Sequence, residues 1–141
     1  MKPPKAYVLD CSVTLSWFFD DEATPTTDKL FLDLPHAEIM VPSLWHLELA
    51  NSLNMALRKN RTDERRISQF LDRLLQQSIT TDHAGADRAL SQLRPLAARH
   101  ALTVYDTVYL DLAMRTGLPL ATLDQDLTKA AKANAIPLPL P

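Results

Sequence analysis

The sequence predicts an α/β fold, a central and mainly parallel sheet flanked by helices. Two observations predict it. Short apolar strand segments alternate along the chain with longer segments of helical periodicity, which argues for a sheet covered on both faces. The chain has 141 residues, 46% of them hydrophobic and 23% charged, enough for one domain around one core.

The elements follow in order. Ala6 to Asp10 (AYVLD) is the first strand, and Ser12 caps a short helix through Phe18. A second helix runs from about Thr26 to Leu34 and is closed by Pro35. Glu38 to Val41 is a strand ended by Pro42. Ser43 then caps a long helix to Lys59, and Thr62 or Asp63 caps another through Gln77. Ser78 to Thr81 is a short strand, and Gly85 to His100 a helix kinked at Pro95. Tyr105 to Thr116 is a helix with Gly117 as its stop. Leu118 to Thr122 is a strand, Gln125 to Asn134 a helix, and Ile136 to Leu140 an edge strand, the place in a sheet that tolerates Pro137 and Pro139.

Composition excludes several classes. The lone Cys11 permits neither an intrachain disulfide nor a multi-cysteine zinc site and suits a reducing, cytoplasmic setting. Only Gly85 and Gly117 are glycines, so there is no glycine-rich phosphate loop. No apolar run is long enough to cross a bilayer, and Asp10 interrupts the brief N-terminal apolar stretch, unlike a signal peptide. A net charge of −2 gives no general attraction to nucleic acid, so such binding needs a local basic patch or metal ions.

The acids carry the chemistry. In a parallel sheet the active site lies beyond the carboxyl ends of the strands. Asp10 ends the first strand and Asp124 follows a later one, so both face that edge. Glu48 lies in SLWHLELANSLNMAL, a helix apolar nearly all round and therefore expected to be buried. Leu44, Leu47, Glu48, Asn51 and Met55 share one stripe of it. A carboxylate and an amide there need partners. Asp106 shares an inward stripe with Tyr109, Leu110, Ala113 and Gly117. Singly, Asp10 and Asp124 also read as helix caps and Asp106 as a first-turn acid. Together, carboxylates from separate segments at one sheet edge make a site for a hard divalent cation such as Mg2+ or Mn2+. Asp126 is a further candidate ligand or a first-turn acid of the last helix. Asp111 and Arg115, spaced i,i+4, read as a routine surface pair, and Asp20, Asp21 and Glu22 as a solvated turn.

The segments VLDCSV, PSLWHLELANSL, TVYDTVYLDLA and LATLDQDL, in this order and spacing from Tyr7 to Pro139, resemble the PIN domain, and more closely the VapC-type toxins of bacterial type II toxin–antitoxin pairs. Each segment alone is weak; the ordered set is specific. The resemblance implies a single PIN domain over residues 1–141, a PIN-like three-layer sandwich, and a Mg2+- or Mn2+-dependent ribonuclease. It places the acids at Asp10, Glu48, Asp106 (with Thr103 and Tyr105) and Asp124 (with Thr122), and Ser12 and Asn51 as neighbours that orient ligands, water or phosphate. It also implies a homodimer and a cognate antitoxin. Cys11 stands where another small residue is more usual.

A bound divalent ion would activate water and neutralise developing charge at an RNA phosphodiester. Arg58, Lys59, Arg61, Arg65 and Arg66 read as phosphate contacts or as a solvated inter-helix turn. Trp17, Phe18 and Phe19 read as core or as a dimer or antitoxin surface, with base stacking the minor alternative. A metal-free ribonuclease would need paired histidines, but His36, His46, His83 and His100 lie in different segments. An aspartyl phosphatase needs a second aspartate where Ser12 stands, and a receiver domain needs a lysine where Thr122-Leu123-Asp124 lies. The rival of another class is a non-catalytic PIN-like metal-binding or protein-interaction module.

Overall fold

The computed structural model describes residues 5–139. Four strands form one parallel sheet: β1 (Ala6–Leu9), β2 (Glu38–Pro42), β3 (Ile79–Asp82) and β4 (Leu120–Ala121). Their order is β3-β2-β1-β4. Ala6 pairs with Glu38, Val8 with Leu120 and Ile39 with Ile79. The chain steps outward from β1 to β2 to β3 and then returns to β4 on the far side of β1. The strand order therefore reverses between β1 and β4, which opens a crevice at their carboxyl ends.

Helices flank the sheet, as expected for the three-layer arrangement: α1 (Cys11–Phe18), α2 (Pro25–Asp33), α3 (Ser43–Arg58), α4 (Glu64–Leu74), α5 (Gly85–Arg88), α6 (Arg94–His100), α7 (Val104–Thr116) and α8 (Gln125–Ala133). The core runs through the sheet, α7 and α8, where Val8, Leu9, Tyr109, Leu110, Leu112, Leu120 and Leu127 are fully buried. Both faces of central β1 are covered, which is why Tyr7, Val8 and Leu9 read as a continuous apolar run rather than an alternating one.

Several boundaries differ from the sequence reading for local reasons. Ser12 lies inside α1 rather than capping it; Asp10 holds the cap position, and the Ser12 hydroxyl bonds Asp10 instead. α2 starts at Pro25, whose fixed φ suits a first helical position, behind a Thr24–Thr27 capping box. Pro42, not Ser43, precedes α3. Asp63 is the α4 cap, accepting the Arg66 N–H at 2.9 Å. The helix expected across Gly85 to His100 is interrupted by a π segment, Ala89–Leu93, separated from Pro95 by Arg94 alone. Proline lacks the N–H for the regular ladder, and the wider turn absorbs the mismatch. β4 is only two residues long, and no strand forms from Ile136 to Pro139. Prolines 137 and 139 have no N–H to donate, and that segment contributes one sheet contact, Leu120 N–H to Pro137 O at 3.0 Å. The expected last residue of that strand, Leu140, lies outside the described residues.

α3 is also less buried than its composition suggested. Trp45, Leu49, Leu53 and Ala56 face the core, while Leu47 is 69% and Met55 41% exposed. The stripe that carries Glu48 is thus the rim of the helix, not its buried side.

Candidate functional site

Asp10 stands at the carboxyl end of β1, beside the point of strand reversal. Its backbone N–H bonds Ala121 O at 3.0 Å, tying the ends of β1 and β4 together. Its side chain is nearly buried, and Oδ2 accepts two hydroxyls, Ser12 Oγ at 2.7 Å and Thr122 Oγ1 at 2.7 Å. Each hydroxyl in turn accepts a backbone N–H, Ser12 from Leu123 at 3.0 Å and Thr122 from Asp124 at 3.0 Å. The loop after β4 is therefore fastened to Asp10 through side chains. Burial pushes the Asp10 carboxyl above its ordinary pKa; the two hydroxyls oppose this, and the Asp106 charge adds to it.

Glu48, on α3, is half-buried and accepts the Tyr109 hydroxyl of α7 at Oε1, at 2.5 Å. Burial raises its pKa as well; the Tyr109 bond opposes this, and the charges of Asp10 and Asp106 add to the rise. Asp106 sits in the first turn of α7, where Thr103 caps its N–H at 3.1 Å. Burial raises its pKa, the Asp124 charge raises it further, Thr103 opposes and Asp126 adds. Asp124 caps α8 through Oδ1, which accepts the Leu127 N–H at 2.8 Å. It is thus a helix cap, as its simplest reading held, and also a charge felt at Asp106.

Asp10, Glu48 and Asp106, from three separate segments, therefore act on one another electrostatically, and Asp124 and Asp126 join through Asp106. None of the five enters an ion pair among the described residues, whereas Asp21, Asp82 and Asp111 each pair with arginine. As the side chains stand, no group of three or more His, Cys, Asp or Glu among the described residues is close enough to hold a metal ion. The donor set nevertheless fits a hard divalent cation: oxygen ligands only, mutually repelling, with no protein cation among them. Tyr109, fully buried, stays a hydrogen-bond donor, because burial and then the Asp10 and Glu48 charges hold its phenol far above the ordinary range.

Other expected residues fall elsewhere. Asn51 is exposed and donates to Met55 Sδ at 3.7 Å, with no bond to the acids. Arg58, Lys59, Arg61, Arg65 and Arg66 are exposed at the far end of α3 and the start of α4; Arg58, the last residue of α3, lies about 15 Å along the helix axis from Glu48. Two of them are engaged with aromatics. Arg61 lies 4.3 Å from the Phe19 ring centre and 3.5 Å from Asp21, and Arg66 lies 5.7 Å from the Phe18 ring centre. Phe18 and Phe19 are core residues, and Trp17 stacks on Phe31 while donating to Thr27 O at 2.8 Å. No two histidines meet: His46 bonds Thr81 and His100 bonds Asn134. Asp111 is no surface pair. It is 5% exposed and receives both Arg88 and Arg115, and Arg115 reaches on to Asp82. A charged residue was expected at the surface, but two guanidiniums make its burial tolerable. The sequence reading gave no role to the Tyr109 hydroxyl; the signal was its place three residues after Asp106 on the inward stripe.

Comparison with known proteins agrees with this architecture. The PIN domain family model matches residues 7–133. Among solved structures, the crystal structure of PAE2754 from Pyrobaculum aerophilum matches with a TM-score of 0.67 at 22% identity, covering 89% of this chain and 84% of that one. The crystal structure of VapBC2 from Rickettsia felis, bound to a DNA fragment from their promoter, matches with a TM-score of 0.63 at 16% identity, covering 94% of this chain and 96% of that one. Among proteins with curated descriptions, none matches. The likeness to these structures concerns the fold; the family model spans most of the chain, which belongs to the PIN-domain family.

Proposed function

We propose that this protein is a divalent-metal-dependent endoribonuclease, formed by a single PIN domain over residues 1–141. The observation that carries the reading is geometric: Asp10 stands at the strand reversal with its carboxylate held by Ser12 and Thr122, Glu48 is held by Tyr109 of the helix that bears Asp106, and none of these acids enters an ion pair among the described residues. PIN domains are generally nucleases, which gives the site its reaction class. Asp10, Glu48, Asp106 and Asp124 would hold Mg2+ or Mn2+, with Asp126 at the margin. Such an ion supplies water activation and charge neutralisation for phosphodiester hydrolysis. Ser12 and Thr122 fix the Asp10 carboxylate by engaging Oδ2, so it meets a ligand in one orientation. Arg58, Lys59 and Arg65 would attract the RNA backbone from the side of α3.

The toxin role, with a cognate antitoxin and a homodimeric, cytoplasmic protein, rests on the sequence resemblance to VapC-type toxins and on the fold shared with a structure solved as VapBC2. The rival reading, a non-catalytic module, draws on one observation: no three acids stand close enough to hold an ion as placed. Metal-dependent cleavage of RNA by the wild type, set beside the Asp10→Asn and Asp106→Asn variants, separates the two. Loss of cleavage in both, with the fold intact, is the expected result; full activity in both contradicts the assignment.

A further inference from the structure

The Tyr109 hydroxyl links the two helices that bear Glu48 and Asp106. α7 contributes Asp106 and, three residues on, Tyr109, so both lie on one face of the same helix. The Tyr109 ring is fully buried in the core, and its hydroxyl reaches Glu48 on α3, 61 positions away in sequence. Glu48 itself is half-buried on the rim of α3, beside exposed Leu47 and Ala50, and its hydrogen-bond partner is this phenol. A glutamate so placed has three side-chain torsions and would sample several rotamers, each with a different position for its charge. The phenol, held rigidly by its buried ring, selects one.

The acids follow a common arrangement. Ser12 and Thr122 converge on one oxygen of Asp10, and Tyr109 takes one oxygen of Glu48. In each case hydroxyl donors engage one side of the carboxylate and orient the other. The Asp10 donors come from neighbouring backbone segments, whereas the Glu48 donor comes from the core. We infer that Tyr109 is a positioning residue for the metal site, holding Glu48 through Oε1 and leaving Oε2 for a bound ion, and that it does so without touching metal or RNA. This rests on the metal-site reading above. Buried tyrosine hydroxyls usually find an acceptor, though that of Tyr7 has none in this structure, so the test must separate positioning from simple satisfaction of the phenol.

The test is Mn2+ affinity by titration calorimetry on the full chain for wild type, Tyr109→Phe, Glu48→Gln and the double variant, beside thermal midpoints without metal. Tyr109→Phe keeps the ring and removes only the donor. The expected result is about a tenfold loss of Mn2+ affinity in Tyr109→Phe, with no further loss when it is added to Glu48→Gln. An unchanged affinity in Tyr109→Phe, or a full additional loss in the double variant, overturns the inference and leaves the metal site standing. Absence of Mn2+ binding by the wild type overturns both. Should Tyr109→Phe fail to fold, a crystal structure of the Mn2+-bound wild type decides: Tyr109 still donating to one Glu48 oxygen while the other binds the ion is expected, and a Glu48 that binds the ion after leaving Tyr109 overturns the inference.

Discussion

At Asp106, burial and the charges of Asp124 and Asp126 all oppose ionisation. Asp10 and Glu48 are raised in the same direction, burial again the larger cause. Their folded pKa values therefore lie above the unfolded ones, near 4 for both residue types. Stability from these groups is fully present below the unfolded value and is lost as pH rises through the folded one. A divalent ion, which binds the ionised forms, should reverse that loss. Thermal melts with and without Mn2+ should thus coincide at acid pH and separate as pH rises to neutrality; a metal-induced shift independent of pH contradicts this. Asp106→Asn should raise the metal-free midpoint at neutral pH by about 2 °C and abolish the Mn2+ shift. A variant that melts lower without metal would mean that the charge is stabilised by contacts not seen here. The sequence marked these acids as candidates because each follows a strand, begins a helix or interrupts an apolar pattern. The hydroxyls that orient them were not legible, since side-chain partners across 61 or 112 positions depend on how α3, α7 and β4 meet.

Arg88, Asp111, Arg115 and Asp82 join α5, α7 and the end of β3 in one chain of charged bonds of 2.8–3.2 Å. At Asp111 burial pushes the pKa up, but the two arginines outweigh it and the net shift is downward; at Asp82, Arg115 lowers it directly. Depressed folded values mean stability present above the unfolded pKa and lost as pH falls through the folded one. Asp111→Ala should cost about 2–3 kcal/mol by urea denaturation at pH 7, a loss that shrinks in acid; an effect below about 0.5 kcal/mol would mark the network as ornamental. Gly117 ends α7 with φ +71, and a Cβ there would meet nothing within 4 Å. Gly117→Ala should therefore cost about 1 kcal/mol, from the left-handed backbone alone. Helix and strand order were readable from periodicity and turn residues. The lost edge strand and the π segment before Pro95 trace to prolines whose local effect the pattern understated, and the exposed rim of α3 depends on what the neighbouring chain covers.

For the whole molecule, the sheet order decides where chemistry is placed. The reversal between β1 and β4 sets Asp10 and the Thr122-to-Asp124 loop side by side, and α3 and α7 bring Glu48 and Asp106 toward them. Sequence indicated the edge but not the order of strands across it. The basic residues lie away from this crevice, so RNA that reaches both would have to run along α3. Arg61 and Arg66 are engaged with Phe19 and Phe18, leaving Arg58, Lys59 and Arg65 for phosphate. Replacing those three with glutamine should weaken RNA binding and flatten its log–log salt slope by about 2, with the thermal midpoint unchanged; an unaltered slope would remove the patch from the RNA path. The central claim is tested most directly by incubating total RNA with the purified protein in Mg2+ or Mn2+ and in chelator, beside Asp106→Asn. Discrete fragments that require metal and vanish in the variant are the predicted result. Cleavage that persists in chelator and in the variant, or metal binding with no cleavage of any RNA, would contradict it.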